Sequence, residues 1–113
     1  MTMSINKLSV KPGNQLFYSM GFHRYIEGYL KYIRENEIEK IIYIDPHKKY
    51  VFEGDLFGLL DQLSIDRKFH WVIMRVNDLT SPMYLDLENT ELLLPNLEKI
   101  QGYMAKYKTL LDN

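Results

Sequence analysis

The sequence predicts a small α+β domain in which three helices pack on a mainly antiparallel sheet of about five strands. Two kinds of pattern lead to this prediction: apolar residues recur at helical spacing in three segments, and β-branched and aromatic runs alternate with turn residues elsewhere. The chain has 113 residues, of which 46% are hydrophobic, enough for one buried core. No repeat or linker divides it, so residues 1–113 are expected to form a single domain.

The N-terminal third is expected to hold one strand and one helix. Residues 3–10 are predicted to form a short strand, which a turn sequence at 11–14 ends. Residues 16–35 follow a helical period, with charged residues on the opposite face. The apolar face of this predicted amphipathic helix carries Phe22, Ile26, Leu30 and Ile33.

The middle of the chain is expected to contain a β-hairpin followed by a short helix. Residues 40–45 and 50–53 are both rich in β-branched and aromatic side chains, and Pro46 lies in the loop between them. These features predict a hairpin over 40–53. Asp55 is a good N-cap, and the leucines after it recur at helical spacing, so a short helix is predicted over 55–63.

The remaining segments complete the predicted sheet and add a last helix. Residues 69–76 are apolar on both faces for most of their length, which favours a central strand. Two further strands, at 83–87 and 91–94, are predicted to flank a tight turn at 88–90. The last helix is predicted to start near Pro95.

Apolar positions on the last helix follow the 3-4-3-4 spacing of a coiled-coil seam. They are Leu97, Ile100, Met104, Tyr107 and Leu111. Two heptads do not define a coiled coil, because packing across a sheet produces the same spacing. The seam is therefore either the face of a homodimer or one side of the protein's own core.

Composition excludes several functional classes. The net charge of −1 gives no global attraction to nucleic acid or to an acidic membrane. The absence of cysteine excludes disulfides, thiolate zinc sites and cysteine nucleophiles. There is no signal-peptide pattern at the start and no apolar run long enough to span a bilayer, so a cytoplasmic protein is expected. Codon-related composition favours a low-GC bacterium or its phage, in which case the compartment is the host cytoplasm.

No catalytic or metal-binding constellation is evident in the sequence. His23 precedes Glu27 by four residues, a spacing that can place two ligands on one metal ion. Third and fourth ligands are missing, so a solvated helix edge is the expected role, and no metal or cofactor is predicted. An enzyme with an unrecognised site remains an alternative, with its centre around His47, Asp66 and His70.

The chain contains nine tyrosines, an unusually large number for a residue type that is common at contact surfaces. Tyr25, Tyr29 and Tyr32 form one flank of the predicted helix 16–35, and Gly28 leaves open space beside them. The flank is either the rim of the core or a ridge that faces a partner, because rigid amphipathic rings are efficient anchors. Base stacking is a third possibility. A protein partner is expected at this ridge, as for a phage or mobile-element modulator or inhibitor of a host protein.

A local basic patch gives the alternative function. In the predicted strand–helix–strand order, the hairpin loop and the start of the central strand lie at the same end of the sheet. That end would collect His47, Lys48, Lys49, Arg67, Lys68 and His70. Such a patch would suit a phosphate group, an acidic partner or nucleic acid, as in a nucleic-acid-binding accessory protein. Solvated loop charges are the plainer interpretation.

Overall fold

The computed structural model describes residues 15–86 and 91–112, and within these ranges the protein is mostly helical. The described residues form six α-helices and one antiparallel sheet of two strands, so the predicted five-stranded sheet is wrong. Two short 3-10 helices, Arg67–Phe69 and Pro82–Tyr84, lie in the segments that connect these elements. The main elements in chain order are α1 (Met20–Glu27), α2 (Leu30–Asn36), β1 (Ile38–Tyr43), α3 (Pro46–Phe52), α4 (Leu56–Gln62), α5 (His70–Val76), β2 (Glu91–Pro95) and α6 (Leu97–Asp112).

The predicted hairpin over 40–53 is wrong in its second half, because residues 50–53 belong to α3 and its C-terminal end. The side chain of Asp45 caps α3 by accepting a hydrogen bond from the His47 N–H, at 2.8 Å. Pro46 follows at the first helical position, where its missing N–H costs nothing. An Asp-Pro pair before an apolar run is a helix start, and here it outweighs the β propensity of Tyr50 and Val51.

The predicted central strand at 69–76 is also wrong, because residues 70–76 form α5. Asp66 caps the short helix before it by accepting a hydrogen bond from the Lys68 N–H, at 3.1 Å. Val72, Ile73, Met74 and Val76 are all buried. A helix that is apolar on nearly every side is a buried helix, and over seven residues such a run has no period that separates it from a strand.

The predicted strand at 83–87 begins instead with the 3-10 helix Pro82–Tyr84, which the hydroxyl of Ser81 caps. The predicted strand at 3–10 and the predicted turn at 88–90 lie outside the described residues. The strands predicted at 40–45 and 91–94 exist as β1 and β2. They pair with each other in antiparallel register, with an irregularity between Ile38 and Lys40.

The three predicted helices are present, the first in two pieces. The segment 16–35 contains α1 and α2, which meet at Gly28 and Tyr29. The predicted helices at 55–63 and after Pro95 are α4 and α6. Within the α6 seam, Ile100 and Met104 are buried in the chain's own core, whereas Leu111 is exposed.

Polar clamps hold α5 against its neighbours. The side-chain amide of Asn77 donates a hydrogen bond to the Leu93 carbonyl, at 2.9 Å, and accepts one from the Leu93 N–H, at 2.8 Å. Asn77 therefore closes the outer edge of β2 as a neighbouring strand would.

The second clamp consists of two arginines. Arg34 of α2 donates hydrogen bonds to the carbonyls of Arg75 and Val76, at 2.7 and 2.9 Å, and so satisfies the C-terminal end of α5. Arg75 makes a bidentate pair with Glu27 of α1, at 2.6 and 3.1 Å, and this hydrogen bonding lowers the pKa of Glu27.

Candidate functional site

The tyrosines of α1 and α2 pack against two further tyrosines of α6. The Tyr25 ring lies 5.1 Å from the Tyr29 ring and 5.5 Å from the Tyr107 ring, centroid to centroid. Tyr29 in turn lies 5.0 Å from Tyr103. Tyr25 also stacks on the buried Phe22 and is itself half-buried, so it belongs to the rim of the core. The core-rim interpretation therefore applies to Tyr25.

Tyr29 and Tyr32 differ from Tyr25 because they open to solvent, with 39% and 53% of their surface exposed. They form one wall of a groove of about 460 Å³, and α6 forms the other wall. We call this feature the tyrosine groove. Its lining residues are Tyr29, Tyr32, Glu37, Glu98, Lys99, Gly102, Tyr103 and Lys106.

A hydrogen bond fixes the side chain of Tyr103 at the centre of the tyrosine groove. The hydroxyl of Tyr103 donates to the Glu37 carboxylate at 2.8 Å and thereby joins α6 to the residue that ends α2. Burial raises the pKa of Tyr103 strongly, and the bond to Glu37 raises it further. The phenol therefore remains a protonated donor throughout the neutral range and keeps its hydrogen bond to Glu37.

Charged residues of both signs surround the aromatic centre of the groove. Lys99 and Lys106 project from the α6 wall two turns apart and are exposed, as is Glu98. Among the described residues, neither lysine forms an ion pair. An aromatic centre with a charged rim is the usual anatomy of a protein–protein interface.

A glycine, Gly102, lines the α6 wall of the groove, and Gly28 precedes Tyr29 outside the groove lining. A Cβ at Gly28 would have only the Tyr25 carbonyl oxygen nearby, at 3.5 Å, and a Cβ at Gly102 would meet no atom within 4 Å. At Gly28 the carbonyl would be in ordinary van der Waals contact with the added atom, so the open space predicted beside the ridge is limited there. Sequence reasoning missed Tyr103 and Gly102, although Tyr103 and Tyr107 repeat the i, i+4 tyrosine spacing of Tyr25 and Tyr29.

Of the predicted basic patch, Arg67 and His70 share one neighbour, the Asp61 carboxylate, which lies 3.8 Å from the Nε2 of His70. His47 is exposed near the start of α3, and the side chains of Lys48 and Lys49 lie outside what the structure describes. The guanidinium of Arg67 pairs with the Asp61 carboxylate at 3.3 Å, and this pairing raises the pKa of Arg67.

Lys68 and His70 face inward. The ammonium of Lys68 lies over the rings of Phe17 and Phe69, at 5.4 and 5.2 Å. His70 is buried, and its Nε2 lies 2.8 Å from the Ile65 carbonyl oxygen. The strand–helix–strand topology that gathered the patch is absent, since residues 50–52 and 70–76 are helical. A shared patch of all six residues thus stays a prediction without its topological basis.

The residues of the predicted enzyme alternative serve local backbone structure. Asp66 accepts the Lys68 N–H at the start of the 3-10 helix, and Asp45 does the same for His47 at the start of α3. Within residues 15–86 and 91–112, no group of three or more histidine, aspartate or glutamate side chains could hold a metal ion. In the same ranges, no helix has the length and apolar character needed to cross a membrane.

Comparison of the chain with protein-family models, with curated proteins and with solved structures gives no match. The geometry of the tyrosine groove is therefore the basis for its functional interpretation.

Proposed function

We propose that this protein acts by binding another protein at the tyrosine groove, as a small non-catalytic modulator of its partner. The observation that carries the proposal is the row of rings that crosses from α2 to α6. Tyr29 and Tyr32 are open to solvent, yet Tyr29 rests on Tyr103, which is itself anchored to Glu37.

This arrangement suits an interface because its anchors are already ordered. A tyrosine side chain has two torsions to fix and buries a large area, so it contributes contact at low entropic cost. The hydrogen bond from Tyr103 to Glu37 holds the Tyr103 ring in place, which leaves little reorganisation for the binding step. Lys99 and Lys106 add charged rim contacts, which set specificity and association rate more than affinity.

The test compares two double variants that each remove two exposed tyrosines. Tyr29→Ala/Tyr32→Ala strips the groove wall, whereas the control Tyr50→Ala/Tyr84→Ala removes rings of 74% and 62% exposure that do not line the groove. Tyr25 is left intact because it packs on Phe22. Partners are captured from nuclease-treated lysate of the encoding organism, and the affinity of each purified partner is then measured with the wild type and both variants.

We expect the groove variant to bind its partner at least about thirtyfold more weakly, as for two interface hot-spot residues, and the control to bind as the wild type does. Circular dichroism verifies that both variants fold. A photo-reactive amino acid at position 32 should cross-link to the same partner, and one at position 84 should not. Equal binding by both variants, or capture that depends on nucleic acid, would contradict the proposal.

A further inference from the structure

The outer edge of β1 has hydrogen-bonding groups that nothing in the described chain satisfies. In the sheet, Ile41 lies opposite Leu93 and Tyr43 lies opposite Glu91. The N–H and C=O of Leu93 both bond to Asn77, so they point away from β1. Ile41 and Leu93 are therefore a non-hydrogen-bonded pair, and in such a pair each residue points its N–H and C=O away from the other strand. The N–H and C=O of Ile41 and Tyr43 therefore point away from β2, and no residue in 15–86 or 91–112 pairs with them.

The side chains on this edge are apolar and exposed. Ile41 is 48% exposed and Tyr43 is 73% exposed, and their side chains lie on the same face of the sheet. On the other face, Ile42 and Leu63 line two adjoining cavities of about 680 and 80 Å³. A strand added beside β1 would find apolar contacts on both of its faces.

Only half of the β1 edge has the usual protection against pairing. Its N-terminal half has the irregularity between Ile38 and Lys40 and the charge of Lys40, both of which discourage an added strand. Residues 41–43 have neither charge nor proline. The edge of β2, by contrast, is closed by Asn77.

We propose that the β1 edge pairs with the β1 edge of a second copy of this chain, antiparallel and with a two-fold axis beside Ile42. Ile41 then lies opposite Tyr43 of the second copy, and Tyr43 lies opposite its Ile41. Four main-chain hydrogen bonds form, two in each pair. The two sheets join into one of four strands, in the order β2, β1, β1, β2.

The edge favours its own copy as the occupant because this register is self-complementary. The exposed face of the joined sheet gains two isoleucine–tyrosine cross-strand pairs in all, a stabilising combination, and Ile42 meets Ile42 on the other face. Lys40 lies opposite Ile44 of the second copy, and the like charges of Glu39 and Asp45 oppose one another only at the two ends of the paired segment, outside the four hydrogen bonds. A net charge of −1 per chain adds little repulsion. The inference is independent of binding at the tyrosine groove.

Analytical ultracentrifugation of the full chain, from 10 µM to about 1 mM, tests the proposal with two variants. Ile41→Lys places a charge on the edge. Val51→Lys makes the same kind of change at a position of 71% exposure on α3, away from the edge. Amide hydrogen exchange at residues 41 and 43 is measured over the same range of concentration.

We expect a reversible monomer–dimer equilibrium that Ile41→Lys weakens at least about tenfold, because two symmetry-related pairs are lost, and that Val51→Lys leaves unchanged. Protection of the two amides should rise with protein concentration. A protein that stays monomeric at about 1 mM overturns the proposal, and so does a dimer indifferent to Ile41→Lys. Amides already protected in the monomer would show that the chain covers its own edge, which also overturns it.

Discussion

At the scale of single residues, the fold controls the ionisation of His23, whose ring stacks on that of Trp71. The ring centroids are 3.7 Å apart and the planes differ by 3°. The Nε2 of His23 lies 3.1 Å from the Phe17 carbonyl, which can only accept, so Nε2 carries the proton. Burial lowers the pKa of His23 below its ordinary value of 6.5, although the bond to Phe17 and the charge of Glu27 act in the opposite direction.

This lowered pKa predicts a stability that falls as the solution becomes acidic. Below pH 6.5 the unfolded chain binds a proton at His23 more readily than the folded chain does. The stability that this histidine contributes above pH 6.5 is therefore lost as the pH falls towards the pKa of His23 in the folded protein. In His23→Gln, the change in unfolding free energy between pH 7 and pH 5 should be smaller than in the wild type. Urea denaturation at both pH values measures it.

The control for this effect is His47→Gln, a change at an exposed histidine. It should keep the pH dependence of the wild type. Trp71 is the single tryptophan of the chain, so its fluorescence should titrate with His23, at a midpoint below 6.5. A midpoint at or above 6.5 would show that burial does not dominate.

At the scale of elements, the contact between α1 and α6 depends on a glycine. A Cβ at Gly21 would collide with the Tyr107 hydroxyl, whereas a Cβ at Gly102 would meet no atom within 4 Å. Gly21→Ala should therefore destabilise the protein by about 1–3 kcal/mol, the usual cost of overpacking. Gly102→Ala should stabilise it by about 0.5–1 kcal/mol, because alanine is the better helix former. Chemical denaturation of each variant measures both changes.

The double variant Gly21→Ala/Tyr107→Phe separates the collision from helix propensity. Removal of the hydroxyl takes away the atom closest to the added methyl group, so this variant should recover part of the loss caused by Gly21→Ala. If Gly21→Ala is as stabilising as Gly102→Ala, then α1 and α6 do not approach as closely as the structure shows.

The elements that sequence patterns identified are those with a clear period. α4 has leucines at i, i+3 and i+4 behind an aspartate cap, and α6 has sixteen residues of regular spacing. α3 and α5 have seven residues each, and their valine, isoleucine and aromatic content favours strands. Asp45 caps α3, whereas α5 follows the 3-10 helix that Asp66 caps and is buried on nearly every side. Propensity alone indicates neither of these.

At the scale of the whole molecule, the tyrosine groove shows which part of a site local patterns can reveal. The spacing of Tyr29 and Tyr32 within one segment predicted a shared flank, and the structure exposes both rings. The opposite wall could not be predicted, because Tyr103 and Gly102 come from the last helix and reach the groove only through tertiary packing. The predicted basic patch needed a correct sheet topology, so it lost its basis with the sheet.

Asn77 connects α5 to the sheet, so its loss should weaken the whole fold. Its amide makes hydrogen bonds to the carbonyls of Ile73 and Leu93 and to the Leu93 N–H. In Asn77→Ala the half-buried N–H and C=O of Leu93 lose their partner, which should cost about 2–3 kcal/mol of unfolding free energy, whereas the Ile73 carbonyl keeps its bond from the backbone N–H of residue 77. Asn36→Ala, which removes an exposed bond to the Tyr32 carbonyl, should change it by less than about 0.5 kcal/mol.

Urea denaturation followed by both tryptophan fluorescence and far-ultraviolet circular dichroism distinguishes a global from a local effect. Because Trp71 lies on α5 and the dichroism reports helical structure along the whole chain, coincident shifts of both transitions would show that Asn77 supports one cooperative unit. We also expect the amide of Leu93 to lose protection from hydrogen exchange in Asn77→Ala, since its acceptor is gone. Unchanged protection at Leu93 would mean that the β2 edge is closed by something other than this side chain.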